Sequence, residues 1–228
     1  MSESWLFLQS PAAGAATNMA VDEALLLSAT KRRVPLLRLY AWARPAVSFG
    51  YFQKFPAGLA AKYELIRRPT GGGMVYHGDD TTYTIVVPPG HPLYEMKTTD
   101  AYCAIHKAVA TACEHATNKR SGGSPTLQAG PSTLPRGAYE CFQNPVHGDV
   151  VADGRKLAGA AQRRTRHGML HQGSIAAKVT ADQLQDGFRQ AFHADFRSYR
   201  LSPAEKALAE ELAREKYATD DWNRKVRR

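Results

Sequence analysis

The stretch Arg67-Arg68-Pro69-Thr70-Gly71-Gly72-Gly73-Met74-Val75-Tyr76-His77 constrains this chain more than any other. Three glycines in a row follow an arginine pair and lead into an apolar, β-branched run. Without Cβ atoms such a segment can turn sharply and bring its N–H groups close to a ligand. It can cradle an anion or cover a long thin substrate. It is equally compatible with a plain hairpin turn, because glycine runs punctuate strands.

Alternation and helical spacing predict the elements on either side. Residues 5–8, 35–42 and 81–87 read as strands, and residues 65–88 hold two strands around the glycine loop. Residues 17–30 read as a helix capped by Thr17, with Ala20, Ala24 and Leu27 on one side. A short helix is expected over 55–63 and a longer one over 94–116. Residues 117–137 are rich in Gly, Ser and Pro and read as a loop. Strands at 149–152 and 155–161 are turned by Asp153-Gly154, and 169–178 gives another. Leu184, Phe188 and Phe192 at spacing four mark an amphipathic helix over 180–192. Pro203 opens a last helix with Leu208 and Leu212. No repeat and no internal boundary emerges, so residues 1–228 read as one domain.

A net charge of +9 favours an acidic partner. No zinc-finger spacing or RNA-binding signature points to nucleic acid. No apolar run reaches the roughly 20 residues of a membrane helix. The start, Met1 to Trp5, shows no secretory signal, and three scattered cysteines cannot all pair and give no metal spacing. A reducing cytoplasm is the expected location.

A second segment, Gly154-Arg155-Lys156-Leu157-Ala158-Gly159-Ala160-Ala161-Gln162, follows a cysteine at 141. Arg68-Pro69-Thr70-Gly71-Gly72-Gly73 with His77, then Gly154-x-Lys156-x-x-Gly159-x-Ala161-Gln162, then His171-Gln172-Gly173-Ser174 resemble the lipoate-protein ligase and octanoyltransferase family. So do Asn18 to Leu25, Ser48 to Gln53, Lys216-Tyr217 and Trp222-Asn223. The likeness runs along nearly the whole chain in the family's order. It implies an α/β fold with a mixed, largely antiparallel sheet flanked by helices, like the biotin and lipoate ligase catalytic domain. It also implies an eight-carbon acyl chain in an apolar tunnel beside the glycine loop.

Cys141 is the candidate nucleophile: a thiolate accepts an acyl group and passes it on as a thioester. By itself a cysteine is more often a small buried hydrophobe. The resemblance places a nucleophilic cysteine before Gly-x-Lys and followed by Phe, where Cys141-Phe142 stands. Another octanoyltransferase branch puts its cysteine after the lysine, but 166–171 contains none. Cys103 and Cys113 read as core or surface residues. Lys156 is either a solvated strand lysine or, as the resemblance implies, the group that contacts the acyl carbonyl or an acyl-adenylate, where it polarises the carbonyl, stabilises developing negative charge or moves a proton. Arg68, Thr70, Gly71, Gly72, Gly73, His77, Gly159, Ala161, Gln162, His171 and Gly173 are the expected substrate-binding residues. His171-Gln172 reverses the order in related sequences. Arg67 and Arg68 are either solvated or meet a phosphate.

Three readings follow. In the first, octanoyl passes from acyl carrier protein to Cys141 and then to a lysine of a lipoyl domain or of glycine cleavage H protein. It needs no cofactor and no metal. In the second, a ligase activates lipoate with ATP and magnesium, and Lys156 holds the adenylate. The third is a non-catalytic acyl or carrier-protein binding protein, and Lys156 speaks against it. Cys141 favours the transferase, as does a chain ending soon after Trp222, with no room for a ligase accessory domain. Basic clusters at Lys31-Arg32-Arg33 and Arg163-Arg164-Thr165-Arg166 are expected to steer acidic carriers.

Overall fold

β-branched and aromatic side chains dominate Thr81–Val87, and every residue of that strand is buried. The rest of the fold is arranged around it. The structure, a computed structural model, describes residues 2–116, 123–130 and 145–225. The strands are β1 (Glu3–Gln9), β2 (Leu36–Tyr40), β3 (Ala46–Phe49), β4 (Glu64–Arg67), β5 (Val75–His77), β6 (Thr81–Val87), β7 (Thr126–Leu127), β8 (Val150–Ala152), β9 (Arg155–Thr165), β10 (Gly168–Ile175) and β11 (Ala194–Ser198). The helices are α1 (Ala15–Leu27), α2 (Ala29–Arg32), α3 (Pro92–Glu95), α4 (Thr98–Ala116), α5 (Ala181–Phe192), α6 (Pro203–Leu212) and α7 (Asp220–Arg224).

Eight strands form one sheet in the order β11-β1-β2-β6-β10-β9-β8-β7. β1 runs parallel to β11 and β2, and the other neighbours pair antiparallel. Successive strand residues point to opposite faces. Leu37, Ile85, Val87 and Met169 therefore meet the layer of α4 and α5, with Ile105, Ala108, Leu184 and Phe188. Leu36, Val86 and Leu170 meet Val21, Ala24 and Leu25 of α1 and Leu208 and Ala209 of α6. This is the mixed, largely antiparallel α/β architecture that the sequence implied. Among the described residues no helix is long and apolar enough to cross a membrane.

A smaller sheet, β4-β3-β5, is joined to α1 and to the end of the chain by Met19, Tyr40, Ile66, Tyr217 and Trp222. Arg67 locks this join. Its buried guanidinium donates to the carbonyls of Tyr51, Gln53, Trp222 and Asn223 at 2.5–3.0 Å and stacks on Phe49. It is neither solvated nor aimed at a phosphate. The helix expected to be capped by Thr17 starts two residues earlier, at Ala15. Gly14 is its N-cap, and Glu64 of β4 accepts from Ala15 N at 3.2 Å. The helix expected over 55–63 is only a 3₁₀ turn, Ala57–Leu59.

Candidate active site

Between the large sheet and the small one lies a narrow, mostly apolar cavity. Met19, Tyr40, Trp42, Val75, Ala160 and Ala161 make its apolar wall. Lys156, Arg68, His77, Ser48 and Ser174 supply the polar groups. An apolar slot with a few fixed polar groups suits an acyl chain with a reactive carbonyl.

Lys156 is seated by three features. Its Nζ pairs with Asp149 Oδ2 at 2.7 Å, and the two side chains are 5% and 0% exposed. The side chain lies across Gly159: a Cβ there would stand 2.3 Å from Lys156 Cε and 2.5 Å from Nζ. Asp149 is itself held, because Oδ1 accepts from Tyr102 Oη at 2.5 Å and Oδ2 from Val146 N at 2.7 Å. Tyr102 in turn accepts from Ala160 N at 3.0 Å. The Gly-x-Lys-x-x-Gly spacing thus works because the second glycine leaves room for the lysine stem. A cation so fixed can stabilise charge developing on a carbonyl oxygen.

The opposite wall belongs to the small sheet. Arg68 donates to the carbonyls of Ser48, Gly71 and Gly73, each at 2.8 Å. It braces the glycine loop from inside, so a phosphate contact is not its arrangement here. Gly72 has φ +86°, a left-handed conformation suited to glycine. Gly50 packs so tightly on the loop that a Cβ would fall 1.9 Å from Gly72 O. Arg68 and Val75, on either side of the three glycines, face the cavity. His77 stacks on Trp42 with ring centroids 4.1 Å apart. Its Nδ1 meets Asp80 Oδ2 at 2.8 Å and its Nε2 meets Ser48 Oγ at 2.7 Å. Burial pushes the His77 imidazole below its ordinary value, with only partial compensation from Asp80. Burial pushes the Asp80 carboxyl up, but His77 and the hydroxyls of Ser174 and Thr82 overcome this and hold it at about 2.

Thr70 and Gln172 belong to a buried polar hub that reaches the cavity wall at Gln172. Thr70 Oγ1 donates to Gln172 Oε1 at 2.8 Å, and Gln172 Nε2 donates to Asp22 Oδ2 at 2.7 Å. Asp22 also pairs with Arg38 at 2.7 Å. Gly173 is needed for packing, since a Cβ would stand 2.2 Å from the Tyr83 ring. His171 and Gln162 turn to the other face of the large sheet, 3.0 Å from each other. There His171 meets Tyr83 Oη at 3.2 Å and packs edge-on against His106. Burial drives His171 well below the ordinary histidine range. Lys156, Arg68, His77, Gly159, Ala161 and Gly173 are therefore brought to one cavity, while Thr70, Gln162 and His171 stand outside it.

Cys141 lies outside the described residues. Cys113 is a buried core thiol, pushed up to about 12 mainly by burial, and Cys103 is half-buried, 3.7 Å from His147 Nε2. The arginine cluster is not a loose charged patch. Arg163 donates to Pro69 O at 3.0 Å, and Arg164 donates to Tyr94 O and Met96 O at 2.6 and 2.5 Å. Arg32 is buried against Glu205 at 2.6 Å. Ser48, Asp80, Tyr102 and Asp149 were not picked out from the sequence. Asp149 had a faint signal, a lone acidic residue opening the strand before Gly-x-Lys.

The lipoyl protein ligase A/B catalytic domain family matches residues 14–215. An octanoyltransferase LipM of Halalkalibacterium halodurans is 30% identical over 273 residues, covering 97% of this chain and 99% of that protein. A lipoate-protein ligase A bound with ATP has a TM-score of 0.74 at 24% identity, with full coverage of both chains. A putative lipoate protein ligase from T. acidophilum with bound lipoic acid gives 0.73 at 23%, covering 98% of each. At these identities the solved structures speak for the fold alone.

Proposed function

The chain belongs to the lipoyl protein ligase A/B catalytic domain family, and from that premise we propose that it is an octanoyltransferase serving protein lipoylation. The observation that carries the chemistry is Lys156, buried, paired to Asp149 and laid across Gly159 at the edge of a mostly apolar cavity. The relatives at 30% identity along the full length are octanoyltransferases, which favours this reaction over ligation.

In this proposal the thiolate of Cys141 attacks the thioester carbonyl of an octanoyl group carried by acyl carrier protein. Lys156 stabilises the oxyanion, the bond from the acyl carbon to the carrier sulfur breaks, and the proton that the Cys141 thiol gave up leaves on the carrier thiol. A lysine amine of a lipoyl domain or of glycine cleavage H protein then takes the acyl group from Cys141. A thioester donor is already activated, so the transfer needs no nucleotide and no metal. Its setting is the cytoplasm. One preorganised donor at an oxyanion contributes about 10²–10³ in rate, so Lys156→Met should lose about that much.

The test is intact mass after mixing with octanoyl-acyl carrier protein, without ATP and with magnesium chelated. One octanoyl adduct, labile to hydroxylamine and absent in Cys141→Ala, is expected. Transfer by Cys141→Ala at the wild-type rate would remove the covalent step. Strict dependence on ATP with free lipoate would replace the reading with ligation.

A further inference from the structure

We propose that Ser48, His77 and Asp80 form a proton relay that deprotonates the incoming lysine amine in the second half of the transfer. This rests on the octanoyl-transfer reading and adds to it the base that amide formation requires. Lys156, paired to Asp149 at 2.7 Å, stands on the other wall of the cavity. The relay stands on the small-sheet wall, where Ser48 and His77 both line the cavity.

The hydrogen bonds allow one consistent direction. Arg68 donates to Ser48 Oγ at 2.8 Å. The Ser48 hydroxyl then donates to His77 Nε2 at 2.7 Å, and His77 Nδ1–H donates to Asp80 Oδ2 at 2.8 Å. Both links lie within the reach of general-base catalysis, about 2.6–3.2 Å. Asp80 is a positioning residue. It is fixed by Ser174 Oγ at 2.6 Å, Thr82 Oγ1 at 2.8 Å and Gly78 N at 3.1 Å, while Trp42 stacks on the imidazole and prevents its rotation. A carboxylate behind Nδ1 sets the tautomer and stabilises the imidazolium that forms, the logic of a serine–histidine–aspartate triad. The charged groups facing His77 are Asp80, Arg68 and, across the cavity, Lys156; Arg44 and Asp79 flank its outer side. Burial keeps the imidazole neutral near pH 7, ready to accept a proton.

Ser48 sits in the middle of β3, paired to Ile66 on one side and Val75 on the other. Its oxygen is hydrogen-bonded both as acceptor and as donor, so it passes a proton and does not attack. In the proposed step the amine nitrogen bonds to the acyl carbon and the bond from that carbon to the Cys141 sulfur breaks. One N–H proton moves to Ser48 Oγ as Ser48's own proton moves to His77 Nε2. The imidazolium then returns a proton to the departing thiolate, restoring the thiol and the neutral histidine.

The test separates the two half-reactions in wild type, Ser48→Ala, His77→Gln and Asp80→Asn. Acyl loading is followed by intact mass, and single-turnover transfer follows to a lipoyl-domain lysine or to hydroxylamine. Hydroxylamine is an unprotonated nucleophile at neutral pH and has little need of a base. Transfer to lysine should fall at least tenfold further than loading, towards the 10²–10⁴ contributed by general bases. Transfer to hydroxylamine should fall much less. The wild-type lysine rate should decline on the acid side as His77 protonates, and Asp80→Asn should lose that limb. Equal losses in loading, lysine transfer and hydroxylamine transfer would make the trio a structural brace and overturn the relay. An octanoyl ester on Ser48 would make it a nucleophile and overturn it too. Failure of the wild type itself to load would instead strike the octanoyl-transfer reading.

Discussion

Replacing Gly159 by alanine tests how the sequence seats its lysine. The added Cβ would stand 2.3 Å from Lys156 Cε, 2.5 Å from Nζ and 3.3 Å from Asp149 Oδ1. Carbon atoms rest at about 3.5–4.0 Å, so the lysine must retreat by about 1 Å or more. A side-chain end can retreat where backbone cannot, so the fold survives. The 2.7 Å ion pair does not survive at that length. Breaking a buried pair costs about 3–5 kcal/mol when one charge is left alone. Here Tyr102 and Val146 N still serve Asp149, so about 1–3 kcal/mol of stability is expected to go. In the proposed role of Lys156 the misplaced cation would lose its hold on the oxyanion, which corresponds to about 10²–10³ in rate. Urea unfolding and single-turnover transfer measure the two effects. Gly58→Ala, whose Cβ would meet nothing within 4 Å, is the control. Asp149→Asn should reproduce the rate loss without the steric clash. A Gly159→Ala protein with wild-type rate and stability would refute the seat, and so would a full-rate Asp149→Asn.

Two further outcomes follow from the same contacts. Arg163→Glu with Arg164→Glu should reduce transfer from carrier-bound octanoate and from a small soluble thioester alike, because both arginines brace backbone carbonyls at 69, 94 and 96; a loss confined to the carrier-bound donor would restore them as docking charges. Acid titration should weaken the fold between about pH 6.5 and 4: burial pushes His106 down to about 4, against about 6.5 unfolded. Above pH 6.5 neither state binds that proton, and below it only the unfolded chain does, so stability falls by about 3 kcal/mol across the window. His106→Gln should lower the slope of unfolding free energy in that range, leaving the share of His77 and His171, which burial also pushes down, and an unchanged slope would disprove the assignment.

Elements that carry their own local signals were legible. Thr180 accepts from Gln183 N and Ser202 from Glu205 N, so α5 and α6 begin where the capping residues stand. The start of α1 was misplaced because its partner is Glu64, 49 residues away, and no side chain caps it locally. β3 is four residues long and β11 reads Ala-Asp-Phe-Arg-Ser, too short or too polar for a periodic signal. Both exist through pairing: β3 with β4 and β5, β11 with β1 at the sheet edge. The loop expected over 117–137 lies largely outside the described residues, as does Cys141.

The site divides in the same way. Lys156 and Gly159 announced themselves by spacing, but the groups that give them chemical meaning come from elsewhere in the fold. A shift in the β8–β9 register at Val150 and Val151 lies immediately beyond Asp149, the partner of Lys156. Ser174 of β10 and Thr82 of β6 fix Asp80 behind His77. Sequence also overstates how much positive charge is offered to a partner near the cavity. Arg67, Arg68, Arg163 and Arg164 direct guanidinium N–H groups at carbonyl oxygens of the loops that form the walls. Arginine suits this work because its fork reaches several acceptors at once. The net charge of +9 therefore reports two different things: arginines that hold the walls together, and exposed cations such as Arg44, Lys54 and Lys62 that are left to meet an acidic surface. Removing the first kind changes the shape of the cavity for every donor, and removing the second changes how often a carrier arrives.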